Sequence, residues 1–145
     1  MTSSVAHTGE VKRAKEMTNQ DARAVSFEFL DAFAEAWNRH YVDAILEAMT
    51  PDCVYESSVG SDAVGTRYVG QECVRSGVKE VFEQFPDARW NHPRHFVAGD
   101  RGVTEWVFTG TRLDGTRLEV QGCDVFTFRD GKIAVKNSYR KQRTS

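Results

Sequence analysis

From Asp21 the chain takes on a helical rhythm. Val25, Phe29, Leu30, Phe33, Ala36 and Trp37 recur every three or four residues, which predicts a helix with one broad apolar face. Asn19 or Asp21 is placed to cap its start. A second, shorter helix is predicted from Val42 to Met49, stopping before Pro51, and Cys53–Ser57 reads as a short strand. Gly60 to Gly70 reads as a loop. A third helix spans Gln71–Phe85, with Val74, Val78, Val81, Phe82 and Phe85 on its apolar side and Pro86 ending it. Beyond Pro86 the chain is strand-like, in runs 88–98, 103–113, 116–128 and 132–140. Gly99-Asp100, Asp114-Gly115 and Asp130-Gly131 punctuate these runs. Asp-Gly between β-rich runs signals a tight hairpin, because a type I′ turn needs positive φ at both central residues. Helices followed by an antiparallel meander of about five strands make the class α+β. Residues 1–20 are polar and without sustained periodicity, so they are read as an extension outside a single domain of residues 21–145.

The composition narrows the function classes. A chain of 145 residues that is 40% hydrophobic and 28% charged, with three prolines, can hold one full core without metal or disulfide staples. Nineteen basic against 21 acidic residues give a net charge of −2, which argues against a nucleic-acid or anionic-membrane surface. No apolar run reaches the roughly 20 residues of a membrane helix, and the N-terminus lacks a signal peptide's apolar stretch, so a soluble, cytoplasmic protein is expected. Cys53, Cys73 and Cys123 are widely spaced and form no Cys-x-x-Cys pair, and Pro93 keeps His92 and His95 off a common helix face. Neither Gly-x-Gly-x-x-Gly nor Gly-x-x-x-x-Gly-Lys occurs. No metal, nicotinamide, flavin or nucleotide cofactor is expected.

The hairpin turns also suggest a site. If both Asp-Gly turns are two-residue loops, Val120 faces Thr109, Gly122 faces Val107 and Asp124 faces Glu105 across the first hairpin. Across the second, Phe126 faces Val135, Asp124 faces Asn137 and Gly122 faces Tyr139. Opposed residues share a sheet face. Val107, Leu118, Val120, Phe126, Phe128, Ile133 and Val135 then form a core face, into which Glu105, Asp124 and Asn137 run in a row. Two carboxylates on a dry face disfavour double ionisation, leaving one protonated as a hydrogen-bond donor and the other as a base. Neutralisation by Arg94, Arg112 or water is the competing reading. A longer loop such as Leu113–Thr116 would shift the register and bring Trp106, Phe108 and Arg112 to the Asp124 face instead. In the first register the opposite face carries Trp106, Phe108, Cys123, Val125 and Ala134, a mixed surface that suggests a homodimer.

The order helix, helix, short strand, helix and antiparallel meander resembles the nuclear-transport-factor-two-like superfamily over roughly residues 21–140. The segment Gly122-Cys-Asp-Val-Phe-Thr-Phe-Arg-Asp-Gly-Lys-Ile133 resembles the penultimate-strand motif of SnoaL-like polyketide cyclases and ketosteroid isomerases. Val54-Tyr-Glu-Ser-Ser-Val-Gly-Ser61 resembles the isomerases' first strand and following loop. The resemblance implies a cone-shaped, cystatin-like fold with a small-molecule pocket. It puts Asp124 where the isomerases keep a protonated aspartate that donates to the dienolate oxygen, near the acid/base aspartate of the cyclases. The isomerases' general base aligns with Ser57 and their oxyanion tyrosine with Phe33. The cyclases' histidine falls closest to Arg112, and the epoxide hydrolases' last-strand aspartate falls on Ser138. No relative's full active site is present, so steroid isomerisation and a standard cyclase mechanism are both disfavoured.

The expected site therefore comprises Asp124, Glu105, Asn137, Tyr55 and His95. Phe33, Trp37, Ser57, Val107, Val120, Phe126 and Tyr139 are the expected pocket wall. Tyr55 reads equally as a core tyrosine with its hydroxyl at the rim, and His95 as a satisfied structural histidine. The expected function is cofactor-independent proton transfer on a small apolar carbonyl or enol compound, of isomerase, cyclase or dehydratase type. The alternative is a non-catalytic ligand-binding or interaction module of the same fold.

Overall fold

The computed structural model describes residues 25–144, so the proposed extension, residues 1–20, and the caps Asn19 and Asp21 lie outside the described residues. Helix α1 (Phe27–Asn38) is capped by Ser26, whose hydroxyl accepts from the Phe29 N–H at 3.0 Å. It buries Leu30, Phe33, Ala36 and Trp37, the stripe its spacing predicts. Helix α2 (Val42–Glu47) leads into strand β1 (Met49–Glu56), which begins earlier than expected and takes in Pro51. The Gln71 amide nitrogen pins this junction by donating to the carbonyls of Leu46 and Thr50 at 3.1 and 3.0 Å. Strand β2 (Arg67–Val69) lies inside the segment expected to be wholly loop and pairs antiparallel with β1. Helix α3 (Gln71–Gln84) precedes β3 (Arg89–Ala98), β4 (Arg101–Thr111), β5 (Arg117–Arg129) and β6 (Lys132–Arg140).

The architecture is α+β: among the described residues, three helices lie on one curved, open sheet of six strands in the order β2-β1-β6-β5-β4-β3. The sheet is mixed, because β1 and β6 run parallel. Two features set which residues face inward. At Asp114-Gly115 only Gly115 has positive φ (90°), so the turn is not type I′. The loop is longer, closed by Arg112 N–H donating to the Thr116 carbonyl at 2.9 Å, and Asp124 faces Thr104. The second turn is as expected, with φ of 55° at Asp130 and 72° at Gly131. Phe128 accordingly faces Ile133, but an irregularity then shifts the ladder by one and Asp124 faces Ser138. Trp106 and Phe108 therefore point into the core, where both are buried, and Glu105, Val107, Asn137 and Tyr139 lie on the outer face. The row Glu105–Asp124–Asn137 does not exist. The alternative with the longer first loop has the observed register, although Arg112 ends up exposed and beside Phe85, not Asp124.

Candidate functional site

The inner face of β5 and β6 carries a buried ion pair. The Lys136 ammonium donates to Asp124 Oδ1 at 2.9 Å, and the two side chains are 4% and 8% exposed. Ser138 completes a triangle, donating to the same oxygen at 2.6 Å and accepting from Lys136 Nζ at 2.7 Å. Trp106 Nε1 donates to Asp124 Oδ2 at 3.1 Å. Three of the carboxylate's roughly four acceptor positions are thus filled, and the remaining one belongs to Oδ2.

Aromatic rings enclose this polar group. Lys136 Nζ lies 4.3 Å from the Trp37 ring centre and 4.8 Å from that of Tyr55. Trp37 packs edge-to-face against Phe33, Tyr55, Phe82 and Trp90. Burial pushes the Lys136 pKa down, opposed by the adjacent Asp124 carboxylate. Burial, reinforced by Asp124, pushes the Tyr55 hydroxyl up to about 12, so it remains a proton donor throughout the neutral range. The fully buried Trp37 Nε1–H has no hydrogen-bond partner among the described residues, a cost normally avoided in a core.

Two small cavities meet at the wall made by Lys136, Trp90 and Trp106. One, of about 20 Å³, reaches Phe33, Thr104, Asp124 and Phe126. The other, of about 40 Å³, reaches Tyr55, Ser57, Phe85, Ser138 and Arg140. These are spaces for a water or two. Arg140 also lines a wider opening of about 170 Å³ beneath residues 63–65.

Of the expected site, the structure brings together Asp124 and Tyr55, with Phe33, Trp37, Ser57 and Phe126 around them. Val120 is buried on the same face. His95 stands one residue away from the cavity, tied between Thr104 Oγ1 at 2.8 Å and Asp31 Oδ1 at 2.7 Å. Glu105, Asn137, Val107 and Tyr139 are corrections: all four line the outer face, where Asn137 Nδ2 donates to the Tyr139 hydroxyl at 3.0 Å. The like-charge argument for a proton-sharing pair goes with Glu105. The sequence reading missed Lys136, Thr104 and Arg140, and brought Trp106 to the Asp124 face only in the alternative register. Lys136 and Arg140 look like solvent-facing residues in an alternating strand, and only the one-residue shift in β6 turns them inward.

Residues 30–136 match the SnoaL-like domain family model. This chain belongs to the SnoaL-like family. Among curated proteins none matches it. Solved structures share the fold. A Xanthomonas campestris pv. campestris protein provisionally named a polyketide cyclase is 21% identical, with a TM-score of 0.70 over 79% of this chain and 89% of that one. A Catenulispora acidiphila protein with a ketosteroid isomerase-like fold, solved with trimethylamine, is 20% identical, with a TM-score of 0.68 over 77% and 84%. TerC, co-crystallised with polyporic acid, is 22% identical, with a TM-score of 0.67 over 79% and 90%. Among the described residues no helix is long and apolar enough to cross a membrane, and no three His, Cys, Asp or Glu side chains gather as metal ligands.

Proposed function

We propose that this SnoaL-like protein is a cofactor-independent enzyme that moves a proton on a small, largely apolar carbonyl or enol compound. The observation that supports it is Asp124, a buried carboxylate held by three donors at the wall of one aromatic-lined cavity, with two of those donors, Lys136 and Trp106, shared with the second cavity. In this reading Asp124 Oδ2 takes the proton from the carbon beside a carbonyl and returns it elsewhere on the product. Tyr55 and the Lys136 ammonium stabilise the enolate oxygen. Names among similar structures, a polyketide cyclase and a protein bound to polyporic acid, agree with a carbonyl-rich ligand.

Deuterium uptake at the α-carbon of 2-tetralone in D₂O, followed by proton NMR, tests the proposal. The protein is expected to accelerate uptake over buffer. Asp124→Asn should lower that rate by about 10²- to 10⁴-fold, the usual worth of a general base. Tyr55→Phe leaves the ion pair intact and should lower it by at least about tenfold. One observation favours a second reading, a non-catalytic binding module: Asp124 is already tied to Lys136, Ser138 and Trp106, as a structural ion pair would be. No acceleration by the unmodified protein would decide for that reading.

We also propose a homodimer formed through the outer sheet face. Phe96, Val103 and Val125 are neighbours across three strands there, flanked by Val107, Cys123 and Tyr139. Trp106 and Phe108, the aromatics expected on that face, take no part because they point inward.

A further inference from the structure

Hydrogen-bond donors outnumber acceptors around the two cavities. Trp37 Nε1–H is buried without a partner among the described residues. Tyr55 is a buried hydroxyl that keeps its proton well past neutral pH. Among the described residues Asp124 is the only acid lining either cavity, and Lys136, Ser138 and Trp106 already bond to it. Arg140 adds a second cation. It is half-buried, with its guanidinium carbon 4.9 Å from the Phe108 ring centre and 5.9 Å from that of Phe85. Arg112 lies over the same Phe85 ring at 5.4 Å. Among the described residues no carboxylate comes within 4.0 Å of Arg140. Among the same residues only its Nε is spent on a side chain, donating to Ser58 Oγ at 2.9 Å. An arginine has five N–H donors in a rigid fork that fits a planar oxyanion.

We propose that the ligand of this cavity is a small organic anion, a carboxylate or an enolised dicarbonyl, whose oxygens dock on Arg140 beside Tyr55 and Ser57. The claim rests on the cavity being a ligand site, and it concerns binding, not turnover. Charge balance carries it: among the described residues, two cations, Lys136 and Arg140, and one anion, Asp124, line the cavities, so a single negative charge on the ligand neutralises these three. An ammonium ligand is disfavoured by the same geometry. The ring faces of Trp37 and Tyr55 that would receive it already hold Lys136.

The probes are benzoate, its neutral counterpart benzamide, and the cation benzylammonium. Binding is read from the indole N–H signals of the three tryptophans, all of which line the cavities. Benzoate should shift the Trp90 and Trp106 signals and bind at least about tenfold more tightly than benzamide, as a charge-assisted contact requires. Benzylammonium should bind least. Arg140→Gln should bring benzoate down to the benzamide level, and Arg140→Lys should recover only part of the difference, having lost the fork. Equal binding of benzoate and benzamide, preference for benzylammonium, or no binding of any probe by the unmodified protein overturns the proposal. The three-probe comparison needs no variant, so a misfolded Arg140→Gln leaves it decisive. A selective response to benzoate without any deuterium exchange on 2-tetralone would uphold the anion site and sink the proton-transfer reading. Exchange without that selectivity would do the reverse.

Discussion

Asp124 and Lys136 were each desolvated to reach their positions, and their attraction offsets that cost only while both are present. Lys136→Met leaves a buried carboxylate without its cation, and should cost about 3–5 kcal/mol in urea denaturation. The double variant Asp124→Leu/Lys136→Met should be destabilised by clearly less than the sum of the single changes. Strict additivity in that cycle would mean the pair is not coupled. Tyr55 offers a second test, through pH. Its folded pKa, raised to about 12 by burial, lies above the ordinary value near 10, so the folded state holds its proton where the unfolded state releases it. The resulting stabilisation is fully present below pH 10 and is lost as pH rises from about 10 to about 12, a contribution on the order of 3 kcal/mol. Tyr68, stacked on Tyr55 at 5.6 Å and also raised to about 12 by burial, adds to the same loss. Tyr55→Phe should therefore flatten the alkaline fall in stability without abolishing it. An unchanged slope between pH 10 and 12 would contradict the burial of that hydroxyl.

Between elements, Gly122 decides whether Trp106 can reach Asp124. These two strands pair Gly122 with Trp106, and a Cβ on Gly122 would sit 2.5 Å from the indole ring and 2.3 Å from the Tyr139 carbonyl. Neither neighbour can yield without moving β6 or expelling the indole. Gly122→Ala should cost about 1–3 kcal/mol, the usual range for overpacking, and should shift the Trp106 indole N–H signal that now reports its bond to Asp124. A stable variant with an unmoved signal would mean the ring is not confined as described. This same hairpin shows where sequence reading succeeds and stops. The strands, their order and the Asp130-Gly131 turn were legible, because alternation and Asp-Gly chemistry are local signals. The register was not, because a single φ at Asp114 and one extra residue after Ile133 each reverse which side chains face inward. Asp124 kept its inward place because Val120, Phe126 and Phe128 share its face in either register. Its partners changed completely, from Glu105 and Asn137 to Lys136 and Ser138.

For the molecule as a whole, helix periodicity and the meander were enough to reach the fold class. The helix α1 stripe and the long strands together decide how the layers pack. The parallel pairing of β1 with β6, and the three-residue β2, were beyond reach, since nothing local in Met49–Glu56 announces a partner more than seventy residues away. Among the described residues the helices cover one face of the sheet, and the other carries an apolar stripe from Phe96, itself 52% exposed, through Val103 to Val125. A two-fold contact places the same patch on both subunits, so a residue near its centre meets its own copy or a close neighbour of it. Val125 sits mid-stripe on β5, with Val103 on one side and Asn137 on the other. Val125→Lys would put like charges together inside the proposed contact while leaving the core untouched, because the side chain faces outward. The unmodified protein should sediment as a dimer at micromolar concentration, and Val125→Lys as a folded monomer with an unchanged circular dichroism spectrum. A monomeric unmodified protein under those conditions would leave the stripe a solvated surface and the dimer proposal without support.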